Sequence, residues 1–168
     1  YIKTDSKKTL KILVIGESTI AGIGVDFHEN GFTGALAKEI SAKTNHSILW
    51  RVYAKSGYTA KLVRKRLVPK IVDSTADIIV IGLGGNDAFK LNSPEIWMLN
   101  VNHLIRDLKR KFPKTPIYFT NMPPIKEFPA FTRIIKFVIG NLVEILGNKL
   151  YKKTKNKSYI CTQLILKI

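Results

Sequence analysis

The chain has 168 residues, 45% of them hydrophobic, 10% aromatic and 24% charged, which fits an ordinary globular protein and excludes disordered and fibrous classes. One domain is expected at this length, since about 150 residues can bury roughly two thirds of their surface around a single core. The 28 Lys and Arg against 12 Asp and Glu give a formal charge of +16, so polyanions are the first partners to weigh.

The basic residues are spread through KLVRKRLVPK, RDLKRKFPK and KLYKKTKNK at helical or loop spacing, with no nucleic-acid motif among them. A solvated basic surface is therefore preferred to a specific nucleic-acid site. Glu17, Lys136 and Glu144 interrupt the longest apolar stretches, so none reaches the roughly 18 residues that span a bilayer. Cys161 is the single cysteine and cannot close an internal disulfide, which leaves the compartment open. A cytoplasmic setting is favoured, with export or anchoring through a segment upstream of Tyr1 as the alternative.

In chain order, LKILVIG (Leu10 to Gly16) is, apart from Lys11, a continuous β-branched and apolar run, as expected of a strand covered on both faces. Glu29 to Thr44 carries Phe32, Leu36 and Ile40 at helical spacing. Ser47 to Ala54 reads as the second strand, TAKLVRKRLVPKIV as a basic amphipathic helix, and Asp77 to about Leu83 as the third strand. Ser93 followed by Pro94 and Glu95 opens a helix that runs to about Phe112. Thr115 to Asn121 is the fourth strand. Arg133 to Lys153 places Ile135, Ile139, Leu142 and Leu146 on one helical face. Lys149 to Lys157 reads as a solvated linker between that helix and SYICTQLILKI, a candidate fifth strand.

Strands alternating with helices of this length predict right-handed βαβ units, hence a three-layer α/β/α sandwich with a parallel sheet of about five strands. No repeat or low-complexity stretch divides it, so residues 10–168 are assigned to one domain and 1–9 to an N-terminal stub.

Open parallel sheets bind ligands beyond the carboxyl ends of their strands. Those ends carry Gly16-Glu17-Ser18, Ser56-Gly57, Gly84-Gly85-Asn86-Asp87 and Asn121-Met122-Pro123-Pro124. A serine at a strand-to-helix turn would lie near a positive helix end, and glycine turns plus a carboxamide offer donors to a developing oxyanion. Ser18, Gly57 and Asn86 are the candidates for that chemistry. The rival motifs fail: GESTIAGIG lacks the Gly-Lys-Ser/Thr ending of a P-loop, Asp87 breaks a dinucleotide fingerprint, and no Gly-x-Ser-x-Gly elbow surrounds Ser18. No metal or cofactor is expected.

GES at Gly16 to Ser18, Gly57 in KSGYT and GGND at Gly84 to Asp87 together resemble the first three blocks of the SGNH (GDSL-type) hydrolases, over about Leu10 to Tyr151. The resemblance implies a flavodoxin-like fold and an esterase or lipase-like acyl hydrolase with Ser18 as nucleophile. The oxyanion would be held by the Ser18 and Gly57 N–H groups and the Asn86 side chain. Glu17 stands where the family usually has Asp. Glu17, Asp87, Pro123 and Phe128 are expected to contact a small-molecule ester or acyl substrate.

The family's fourth block, an Asp-x-x-His pair that supplies the general base, has no counterpart: no acidic residue follows Glu144 and no histidine follows His103. Of the three histidines, only His28 lies close in sequence to Ser18; His46 falls at the opposite edge of the sheet and His103 within a helix. The expectation is a C-terminally incomplete domain with weak or no activity. The alternatives are a non-catalytic module that binds acyl or carboxylate groups, then a basic nucleic-acid binder. PPIKEFPAFTRIIKFVIG is more apolar than one helix stripe requires. Core packing is preferred for it, followed by an acyl pocket or peripheral contact with an anionic membrane. Acyl and alcohol specificity and oligomeric state are not encoded legibly.

Overall fold

The computed structural model describes residues 1–5, 8–22, 24, 26–155 and 160–164. Five strands form one sheet, β1 (Thr9–Gly16), β2 (Ser47–Ala54), β3 (Ile78–Gly82), β4 (Ile117–Thr120) and β5 (Ile160–Leu164), in the order β2-β1-β3-β4-β5. All four pairings are parallel, and Gly16 lies level with both Ala54 and Gly82. The carboxyl ends of three strands therefore finish on one line.

Alternation along the strands divides the core in two. Leu13, Ile15, Ile79, Ile81, Ile117 and Phe119 point to the face covered by α2 (Ala60–Leu62), α4 (Pro94–Lys111) and α5 (Arg133–Thr154). Ile12, Val14 and Val80 point to the other face and meet Leu36 and Ala37 of α1 (Phe32–Thr44). Helices on both sides make the three-layer sandwich, and the near-continuous apolar strands follow from burial on both faces.

Several element boundaries move. The helix expected from Glu29 begins at Phe32, because Gly31 is the extended N-cap and His28–Asn30 is a separate 3-10 turn. The basic segment expected as one helix is broken into α2, a π turn over Val63–Leu67 and a 3-10 turn over Val68–Lys70. Pro69 explains this: its ring crowds the carbonyl four residues back, and the preceding turn widens so that the Val68 N–H bonds to the Val63 carbonyl. A short helix, α3 (Gly85–Phe89), stands where the sequence suggests only a glycine turn. α5 continues to Thr154, so Lys149 to Lys153 are helical rather than linker, while 156–159 and 165–168 lie outside the described residues.

The first residues are tied to the sheet. Ile2 forms an antiparallel bridge with Ile48 through backbone bonds of 2.9 and 2.7 Å, and the Thr4 N–H reaches Ser47 Oγ at 3.0 Å. They lie along the free side of β2.

Candidate active site

The strand ends are narrow by composition. A Cβ on Gly16 would stand 2.4 Å from the Gly82 carbonyl oxygen, and one on Gly82 would stand 2.8 Å from Ile20 Cγ1. Two adjacent glycines thus let the chain after β1 fold back over the sheet. The Glu17 N–H donates to the Gly82 carbonyl at 3.1 Å and the Ala21 N–H to the Glu17 carbonyl at 2.8 Å, which closes the turn carrying Ser18. The helix-dipole expectation fails here: a turn follows β1, and α1 begins only at Phe32.

Ser18 is half-buried, and its Oγ lies 3.3 Å from Ser56 Oγ in the turn after β2. Gly57 holds that turn with φ +77°, in open space. Its requirement is conformational. Beside it, the Tyr58 carbonyl accepts from Asn86 Nδ2 at 3.2 Å. Hydrogen bonds therefore run from the Ser18 turn to the Gly57 turn, and from there to Asn86.

Glu17 supplies the third link. With 8% of its surface exposed, its carboxylate accepts from the Gly85 N–H at 2.8 Å and the Asn86 N–H at 3.0 Å. It therefore fixes the first turn of α3, sixty-eight residues away in sequence. Burial pushes its carboxyl up to about 7 although both N–H bonds and the Asn86 side chain pull it down; nearby Asp87 pushes in the same direction as burial. Asp87 is fully buried and its carboxyl is also raised by burial; it accepts from the Ala60 N–H at 2.8 Å and from Asn92 Nδ2 at 2.9 Å. Both of its oxygens are thus engaged in joining the α2 and α3 turns.

A cavity of about 260 Å³ opens beside this network. Its lining includes Glu17, Ile20, Phe32, the Thr120–Pro124 segment and Phe128. Of the residues expected to contact substrate, Glu17, Pro123 and Phe128 line it and Asp87 does not; Ser18, Gly57 and Asn86 also lie outside its lining. A second cavity of about 530 Å³ lies across the same Thr120–Pro124 segment, against α5.

His46 Nδ1 meets the Thr44 carbonyl at 2.6 Å, at the amino-terminal end of β2 and so at the far end of the sheet. His103 lies inside α4, and His28 opens the 3-10 turn before α1. Among the described residues, no cluster of three His, Cys, Asp or Glu side chains is placed to hold a metal. The strand-end rule named Ser56 beside Gly57 without giving it a role, and it missed the Tyr58 carbonyl and the Glu17 ties, for which the sequence carries no signal.

This arrangement belongs to a known class. The chain is a member of the GDSL-like lipase/acylhydrolase family, whose sequence profile matches residues 14–146. No curated protein matches it. Among solved structures it is similar to the lipase Lip_vut3 from a goat rumen metagenome, with 17% identity over 90% of this chain and 78% of that one and a TM-score of 0.70. It is also similar to a family 3 carbohydrate esterase from Clostridium thermocellum (15% identity, 92% and 77% covered, TM-score 0.68). AlinE4, an SGNH-hydrolase family esterase, shares 23% identity over 83% and 74% with a TM-score of 0.61. At such identities the likeness establishes the fold.

Proposed function

We propose that this member of an esterase- and lipase-like family is a serine ester hydrolase working through Ser18. The observation that carries the reading is the linkage of three strand-end turns: Ser18 to Ser56 at 3.3 Å, and Asn86 to the Tyr58 carbonyl at 3.2 Å beside Gly57. In the reaction Ser18 Oγ gives up its proton and forms a bond to the ester carbonyl carbon while the carbonyl electrons move to oxygen. The carbonyl then re-forms as the bond to the alcohol oxygen breaks, and the departing alkoxide takes up the proton. Water then releases the acid from the acyl-enzyme. The Ser18 and Gly57 N–H groups and the second hydrogen on Asn86 Nδ2 are the donors for the oxyanion. Donors fixed in advance stabilise such charge without reorganising at the moment of reaction. The 260 Å³ cavity, with Phe128 and Pro123 on its wall, is the proposed seat of the acyl group.

The proton acceptor sets the rate. Ser18 meets a hydroxyl, a far weaker base than imidazole, and residues 1–168 taken by themselves include no Asp-x-x-His pair. Without a base, an oxyanion hole and binding together leave about a thousandfold to ten-thousandfold over water. Slow hydrolysis of activated short esters such as p-nitrophenyl acetate is expected, and Ser18→Ala should return it to the buffer rate. Turnover that survives Ser18→Ala would remove Ser18 from the reaction.

The serine–serine contact also favours a second reading, a pocket that binds acyl or carboxylate groups without turnover. Acetate or octanoate should then shift the amide resonances of Ser18 and Gly57 while p-nitrophenyl acetate stays at the buffer rate.

A further inference from the structure

The outer surface of α5 is unlike that of an ordinary solvated helix. Its inner side packs Ile139, Val143, Leu146 and Leu150 against the sheet, as an amphipathic helix should. Its outer side nevertheless carries Ile134 at 76% and Phe137 at 71% exposure, with Val138 and Ile145 also exposed. Spacings of three, four and seven residues put all four on one stripe. The same patch extends past the start of the helix: the Phe131 ring lies 5.8 Å from Phe128 and 5.6 Å from Phe89, and Leu91 beyond α3 is 64% exposed. Phe128 is at once a wall of the 260 Å³ cavity and a member of this aromatic cluster. The apolar surface thus reaches the rim of the candidate active site.

Charge selects the occupant. From Lys126 to Lys155 there are seven Lys or Arg and two Glu. Glu144 is paired with Lys126 at 2.7 Å, whereas Arg133, Lys152 and Lys153 stand exposed at the two ends of the helix. A second copy of this chain would bring the same cations against themselves. A negatively charged bilayer accepts both components, apolar side chains below the headgroups and Lys and Arg among the phosphates. Among the described residues no helix is long and apolar enough to cross a membrane, so contact of this kind would be peripheral.

We infer that the outer face of α5, together with the Phe89, Phe128 and Phe131 cluster, docks the protein on an anionic lipid surface and turns the cavity at Phe128 toward esters held in that surface. The docking stands by itself, while the choice of substrate rests on the hydrolase reading above.

The test is co-sedimentation with vesicles of phosphatidylcholine alone or mixed with phosphatidylglycerol. Binding to the mixed vesicles, at least about tenfold over phosphatidylcholine alone, is expected from the cationic rim. Ile134→Ser with Phe137→Ser should weaken it at least about tenfold, because two large side chains leave the lipid, while thermal stability stays unchanged since both are exposed in the free protein. Ser18→Ala should bind vesicles like the parent, which separates this inference from failure of the catalytic reading. Absence of binding, equal binding to both vesicles, or binding that the double variant leaves intact would each overturn it. So would a lipid-free dimer in sedimentation velocity that the double variant dissociates, which would assign the face to a second copy.

Discussion

At Glu17 two opposed effects meet on one carboxyl group. Its backbone donors favour the charged form, burial favours the neutral form, and burial prevails with a value of about 7. The unfolded chain would titrate this group near 4.5, so between those values the folded state holds a proton the unfolded state has released. The resulting stability is full below about pH 4.5 and is lost as pH rises through 7, amounting to about 3 kcal/mol at most. Asp87 is shifted in the same direction and adds to the trend. The melting temperature should therefore fall from pH 5 to pH 8, and Glu17→Gln should flatten part of that fall; an unchanged slope would show that Glu17 does not titrate in the folded protein. The identity of Glu17 is readable in the sequence, but its partners are not. A contact to Gly85 and Asn86 across sixty-eight residues leaves no periodic trace in a single chain. Ser18, Gly57 and Asn86 are legible because a parallel sheet delivers all its strand ends to one side, so a rule about topology selects residues without any knowledge of contacts.

Among the elements, legibility follows the strength of local chemistry. β2 matches its expected limits of Ser47 and Ala54, and β1 differs by one residue, since short stretches rich in β-branched and aromatic side chains between turns have few alternatives. α4 is similarly well marked: Ser93 caps it through the Ile96 N–H at 3.3 Å and Pro94 opens it. Ser93→Ala should cost about 1 kcal/mol in urea denaturation without changing catalysis, because the lost bond belongs to the helix end alone. α3 is hidden for the opposite reason. Gly-Gly-Asn-Asp is a turn sequence by propensity, and it is the Glu17 carboxylate, together with Gly84 at φ +125°, that makes a helical turn of it. The π turn ahead of Pro69 is likewise an outcome of crowding that spacing counts cannot register. Its Arg64 is held by Asp107 of α4 at 2.6 Å, so the widened turn is fastened to the neighbouring helix.

For the molecule as a whole, the formal charge of +16 and the divided core make a body whose two faces are built differently: α1 covers one side, while α2, α4 and α5 crowd the other. The exposed apolar stripe lies on the crowded side, in a segment that the sequence assigns to the core. That expectation is half correct, because the segment buries Ile125 and Ile139 while leaving Ile134 and Phe137 outside. The spacing marks the buried stripe, and the surplus of apolar residues beyond it is visible in the sequence, but composition alone does not say whether that surplus packs inward or faces outward. The bridge between Ile2 and Ile48 bears on a different hazard. β2 ends the sheet, and an unpaired edge can recruit a strand from another molecule. Residues 2–4 occupy the start of that edge, and farther along Arg51, in an ion pair with Asp73 at 3.5 Å, is the charge that discourages such pairing. Deleting residues 1–5 should preserve the circular dichroism spectrum yet hasten concentration-dependent light scattering. The first few residues would then act as a shield against amyloid-like growth, a role in keeping the protein dispersed rather than in holding it folded.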